Sequence, residues 1–162
     1  MQLSIRRQLT LFVPPQQSER LEQVRKLYDP IQSQIIQSHI TLCREDEIID
    51  LDKVIANLRN LPPFDLQLHL GKLTRFEDGK GVYLPIQNQE DYHNLRKKVL
   101  HGIIDSPRIQ HPHLTLMHPR NAVCTDEIFD LLSKIAFPTL LYFNEIHLIV
   151  QVDGGAWETI AY

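Results

Sequence analysis

A four-residue pattern occurs twice in this chain and limits how it can fold. The copies are His39-Ile40-Thr41-Leu42 and His113-Leu114-Thr115-Leu116, 74 residues apart. On a β-strand, residues two apart point to the same face. Each copy, read as a strand, therefore sets an imidazole and a hydroxyl on one face and two aliphatic side chains on the other. The aliphatic face must be covered, so both strands need a core behind them and an open face in front. A His and a Thr two apart are usually ordinary surface or core residues. Two copies carry weight only if they occupy equivalent places in the chain.

The chain order tests this. Residues 9–13 are strand formers closed by Pro14-Pro15. Leu21, Val24, Leu27 and Tyr28 recur at helical spacing until Asp29-Pro30. Residues 31–43 are expected to carry the first motif on a strand. Asp50 or Asp52 caps a helix striped by Leu51, Val54, Ile55, Leu58 and Leu61, ended by Pro62-Pro63. Residues 64–70 alternate as a half-buried strand, with His69 on the polar face. The turn Glu77-Asp78-Gly79-Lys80-Gly81 follows.

The second half replays this order. Residues 82–86 read as a strand, with Pro85 at an edge or end. Asn88 is expected to cap a helix that turns Tyr92, Leu95, Val99 and Ile103 inward. Residues 109–117 form the second motif strand. Thr125 or Asp126 starts a helix striped by Ile128, Leu131, Leu132 and Ile135. Residues 142–152 read as one long strand, Asp153-Gly154-Gly155 as a hairpin turn, and residues 156–162 as the last strand. Each half thus runs strand, helix, motif strand, helix, strand. The fold class is α+β: a bilobal, pseudo-two-fold duplication of antiparallel sheets with flanking helices. The two motif strands would line a central groove, and residues 1–162 make one domain of two intertwined lobes.

The paired motifs, with Pro112 directly before His113 and the Pro14-Pro15 pair after the first strand, resemble the 2H phosphoesterase family. That family includes the bacterial RNA 2′,3′-cyclic phosphodiesterases, also called 2′-5′ RNA ligases. The resemblance covers most of the chain and implies a cyclic phosphodiesterase, with possible 2′-5′ ligase activity. No cofactor or metal is expected, since two histidines can handle the protons and two hydroxyls the charge. One position departs from the pattern: where the family often carries a basic residue two positions past the second Thr-Leu, this chain has His118, with the arginine at Arg120. Arg44 stands at the corresponding place after the first motif.

Cyclic-phosphate opening needs one group to take a proton from water and another to protonate the departing ribose oxygen. Two imidazoles that titrate near neutrality can do both. His39 and His113 are the candidate acid–base pair, and Thr41 and Thr115 the candidate donors to the phosphate oxygens. Arg75, Arg120, Lys72, Tyr83 and His118 are candidate substrate contacts; each is more often a solvated or packed surface residue. Arg108 is a further possible phosphate contact, and Trp157, like Tyr83, could stack on a base. The rival of another class is a catalytically idle module that holds an RNA 3′ end or nucleotide. His111, His113 and His118 lie close enough in sequence to suggest a metal, but the first motif offers no acidic or cysteine ligand at matching spacing.

Charge and composition narrow the partners. The net charge of −3 argues against long nucleic acid held by a general basic field, though local patches could hold one or two phosphates. No stretch approaches membrane-spanning length, and the apolar run at residues 9–13 is too short for a signal-peptide core. A cytoplasmic monomer is expected, with the thiols of Cys43 and Cys124 reduced.

Overall fold

The computed structural model describes residues 2–162. Strand β1 (Ile5–Phe12) leads into helix α1 (Pro15–Tyr28) and the short helix α2 (Pro30–Ile35). Strand β2 (His39–Cys43) carries the first motif and helix α3 (Leu51–Asn60) follows. Strands β3 (Leu66–His69), β4 (Thr74–Arg75) and β5 (Val82–Pro85) precede helix α4 (Glu90–Val99). Strand β6 (His113–Met117) carries the second motif. Helix α5 (Asp126–Ser133) and strands β7 (Leu140–Phe143), β8 (His147–Val152) and β9 (Trp157–Ile160) complete the chain.

Seven strands form one sheet in the order β4-β5-β6-β2-β1-β8-β9, while β3 and β7 pair separately. Every pairing is antiparallel. The two motif strands are neighbours, with Ile40 opposite Leu114. These residues hold the same place in their motifs, so a local two-fold axis passes between them. Outward from that axis the halves match. Leu11 pairs with Ile40 as Leu84 pairs with Leu114. The β1–β2 ladder shifts register at Leu9/Thr10, and β5–β6 shifts at Val82/Tyr83. Such a bulge re-aims side chains locally, and it recurs at the same relative position in both halves.

The helices cross over: α1 packs on β6 and α4 on β2. Each half therefore covers the motif strand of the other. Ile40, Leu42, Leu114 and Leu116 are sealed under them at 0–1% exposure.

Two buried arginines brace the first motif strand. Arg25 of α1 donates to the Ile36 carbonyl at 2.7 Å, and its partner Glu22 accepts from the Ser38 amide. Arg96 of α4 donates to the Leu42 carbonyl and forms a two-pronged pair with Glu47, one prong at 3.1 Å. Glu47 also accepts from the Arg44 amide and the Gln110 side chain. Burial alone would raise the Glu47 carboxyl, but Arg96 and the Arg44 amide outweigh it and hold it below the usual range.

Several local expectations are corrected. Residues 30–35 are helical because Pro30 suits a first helical position and the Asp29 side chain accepts from the Gln32 amide. The second motif strand starts at His113, not near residue 109, and Ile109 is 78% exposed. Residues 142–152 are not one strand. The chain leaves the small sheet at Phe143 and enters the large one at His147. Asn88 does not cap α4; it bridges to β3, accepting from the His69 amide and donating to the Gln67 carbonyl. Helix α4 ends before Ile103, and Leu27 and Leu131 face outward. Cys43 and Cys124 are buried free thiols. No helix among the described residues is long and apolar enough to cross a membrane.

Replacing Arg96 by Met should lower stability by about 3–5 kcal/mol, because the carboxylate of Glu47 would stay buried without its partner. Urea unfolding followed by circular dichroism measures this, and a loss under about 1 kcal/mol would show that the pair contributes little.

Candidate active site

The motif residues lie on the face left open by the helices. Both strands share one burial sequence, in which His and Thr are half-buried and the aliphatics fully buried. With Ile40 opposite Leu114, an antiparallel register sets Thr41 beside His113 and His39 beside Thr115. Directly opposed side chains start about 4.5–5.5 Å apart and diagonal ones about 7–8 Å. The four groups make a diamond, with histidines on one diagonal and hydroxyls on the other. Each imidazole has a hydroxyl from the opposite half at its side.

Both rings are oriented in the same way. His39 Nδ1 donates to the Gln37 carbonyl at 2.8 Å, and His113 Nδ1 donates to the His111 carbonyl at 2.9 Å. A carbonyl only accepts, so Nδ1 carries the hydrogen and Nε2 keeps its lone pair in the neutral ring. The surroundings favour neutrality. Burial pushes His39 down to about 4, against its Gln37 hydrogen bond, and the charges of Arg25 and His113 add to the lowering. His113 is also shifted down, by burial first and by Arg44, against its His111 hydrogen bond.

The flanks differ. Tyr83 pairs with Thr115 across β5–β6, and its ring lies 5.3 Å from His113. Phe76 packs on both, 4.5 Å from Tyr83 and 5.6 Å from His113. Phe76 reaches this place because position 81 is glycine: a Cβ there would come within 2.6 Å of its ring. On the other flank, Phe12 lies 6.3 Å from His39 and 5.1 Å from His147, which pairs with Thr10. Thr10 Oγ1 donates to the Ile40 carbonyl. No hydrogen bond from the Thr41 or Thr115 hydroxyl to protein occurs among the described residues, so both are available to a ligand.

Three cavities border this region, two of them sharing Thr41 and Arg44. One of about 920 Å³ lies on the His113 side, lined by Thr41, Arg44, Arg75, Tyr83, Arg108 and His113 among others. One of about 730 Å³ opens beside Phe12, Gln37, His147 and Trp157. The third, about 670 Å³, leads from Thr41 past Arg44 and His118.

The candidate contacts are placed unequally. Tyr83 flanks His113, and His118 lines the third cavity, its Nδ1 accepting from the Arg120 amide. Arg75 borders the first cavity, but its guanidinium donates to the Gly79 and Cys124 carbonyls and pairs with Asp126. Arg108 is held two-pronged by Asp46. Lys72 and Arg120 are exposed and line none of these cavities. Two neighbours were not assigned from sequence. Arg44 borders two of the cavities, and its signal was present: it is the counterpart of His118 one repeat earlier. Phe76 had no such signal, since its role depends on a fold-back through Gly81. No group of three or more His, Cys, Asp or Glu side chains suited to a metal ion occurs among the described residues.

Because His39 in the folded chain binds its proton only near pH 4, the unfolded chain holds more protons between there and its ordinary value near 6.5. Stability should therefore fall as pH drops through that window, and His39→Gln should flatten the fall. Urea midpoints from pH 4 to 7 test this; an unchanged slope in the variant would show that His39 is not the responsible group. Phe76→Ala should lower kcat about tenfold or more with little change in KM, since it frees the His113 ring; a rise in KM alone would place Phe76 in binding.

The geometry agrees with known folds. Escherichia coli LigT in its apo form superposes with a TM-score of 0.64 at 17% identity, over 99% of this chain and 95% of that one. A structure described as a phosphoesterase gives 0.62 at 15% identity, over 98% and 96%. E. coli LigT complexed with 3′-AMP gives 0.62 at 14%, over 97% and 95%. No curated protein matches the chain. The family model described as the 2′-5′ RNA ligase superfamily matches residues 13–155, which span both motifs and nearly every element named above. The chain belongs to the 2′-5′ RNA ligase superfamily of 2H phosphoesterases.

Proposed function

We propose that this protein opens 2′,3′-cyclic phosphates at RNA ends or on nucleotides, leaving a 2′-phosphate and a free 3′ hydroxyl. What carries the reading is the diamond: the Ile40–Leu114 register pairs each imidazole with the hydroxyl of the other half. In-line displacement needs a proton acceptor and a proton donor on opposite sides of phosphorus, and the histidine diagonal supplies both. Charge grows on the non-bridging oxygens, and the hydroxyl diagonal donates there.

His39, the more strongly depressed of the two, stays neutral and is assigned as base. Its Nε2 takes a proton from water as the water oxygen bonds to phosphorus. The phosphorus–O3′ bond breaks, and His113, protonated once the anionic substrate is bound, gives its proton to O3′. In ligation a 5′ hydroxyl takes the place of water and the two roles stay the same; they exchange only when the cyclic phosphate is re-formed. That E. coli LigT is complexed with 3′-AMP, with ATP and with NADP+ in solved structures agrees with a groove that accepts small nucleotides.

The substrate is taken to be an RNA 3′ end or a small nucleotide, and the working unit a monomer. The second reading, a binding module without turnover, is favoured by the low proton affinity of both rings in the free protein. A turnover assay beside a binding assay with the same 2′,3′-cyclic nucleotides separates the two. In the hydrolytic reading, kcat/KM follows a bell in pH, and His39→Ala or His113→Ala lowers it about 10²–10⁴-fold. Thr41→Val or Thr115→Val lowers kcat by about 10²-fold. Full activity in His113→Ala, or tight binding with no turnover in the wild type, would end the hydrolytic reading.

A further inference from the structure

We infer that the third cavity holds the phosphodiester backbone on the 5′ side of the reacting end, so that the preferred substrate is a short RNA end and not a mononucleotide. The inference rests on the phosphodiesterase reading for the reacting group, but the groove itself stands on separate observations.

Strand β1 begins at Ile5, whereas its ladder with β2 begins only at Leu9 opposite Cys43. Residues 5–8 therefore have β8 on one side and, among the described residues, no strand on the other. The cavity lies along that uncovered side, and Arg6, Arg7, Arg44 and His118 line it with Thr41. Thr41 and Arg44 also line the cavity holding His113, so the two spaces adjoin at the motif. A chain with its end at the histidines can leave through this opening.

Two acids also line it, Glu45 and Asp46, and both are already paired. Asp46 takes both prongs of Arg108, at 2.7 and 3.0 Å, and Glu45 lies 3.7 Å from Arg6. Arg7 and Arg44 have no side-chain hydrogen bond or ion pair among the described residues. The acids are thus neutralised locally while two guanidinium groups are left without an acceptor, an arrangement suited to phosphate oxygens.

The cavity beside Phe12 and His147 makes the contrast. Glu145 lines it, and neither lysine nor arginine does. A polyanion is steered along the arginine side and away from that one. The net charge of −3 means that the molecule as a whole supplies no such attraction. The strip is local and serves one or two phosphates.

The test compares a fluorescent RNA tetranucleotide ending in a 2′-phosphate with adenosine 2′-phosphate as its competitor, by anisotropy at several salt concentrations. The RNA should bind about tenfold tighter or better at low salt, with log K falling by about 0.7 per log unit of salt for each phosphate held. Arg6→Gln/Arg7→Gln should remove most of that advantage and flatten the slope. The kcat/KM ratio of a cyclic-phosphate tetranucleotide to 2′,3′-cyclic AMP should fall in parallel. Arg6 also packs over Trp157 and bonds Gln151, so Arg7→Gln alone serves as the milder variant if the double one unfolds. Equal affinity for the two ligands, or an unchanged slope in these variants, overturns the inference. If no cyclic phosphate is turned over, the hydrolytic reading fails, while the binding comparison still decides the strip.

Discussion

The whole arrangement depends on one contact at the middle of the large sheet, Ile40 facing Leu114. Each is sealed under a helix from the other half, so neither can turn outward without exposing an aliphatic side chain and opening the core. Burial of these residues fixes which face is open, and the pairing fixes which residues share it. The imidazole and hydroxyl pairs follow from those two facts. Arg25 and Arg96 then hold the segment leading into β2 and the strand itself by donating to Ile36 and Leu42, which ties the open face to helices on the far side of the sheet.

The symmetry is real at the centre and lapses toward the edges. Thr10 and Tyr83 hold equivalent places, paired with Thr41 and Thr115. One is a buried hydroxyl turned to a backbone carbonyl, and the other an aromatic ring set against His113. Arg44 and His118 are likewise counterparts, one a permanent cation and the other lowered in proton affinity by burial and by Arg120. Such differences let the two rings hold a proton with unequal ease.

Much of this was legible in the sequence because it is periodic. The motif alternation gave the open and covered faces, and α3 and α5 announced themselves by stripes and caps at Asp50 and Thr125. What was not legible is what depends on three dimensions. Residues 31–35 fall within the stretch expected to be the motif strand, yet Asp29 and Pro30 make a helix of them. Strands β7 and β8 read as one because nothing in residues 144–146 marks a change of sheet. Sequence could place His39 and His113 in equivalent slots, but not which hydroxyl each would meet. Lys72 and Arg120 show the converse, since proximity in sequence to the site did not bring either into the cavities.

The crossed packing of α1 on β6 and α4 on β2 has a consequence for how such a chain can change over time. Neither half covers its own motif strand, so neither could stand as a free-living ancestor in its present form without a twin to lend it a helix. A symmetric pair of identical chains could have done so, each roofing the other. An insertion or deletion of one residue in either motif strand would turn the imidazoles inward and the aliphatics outward together.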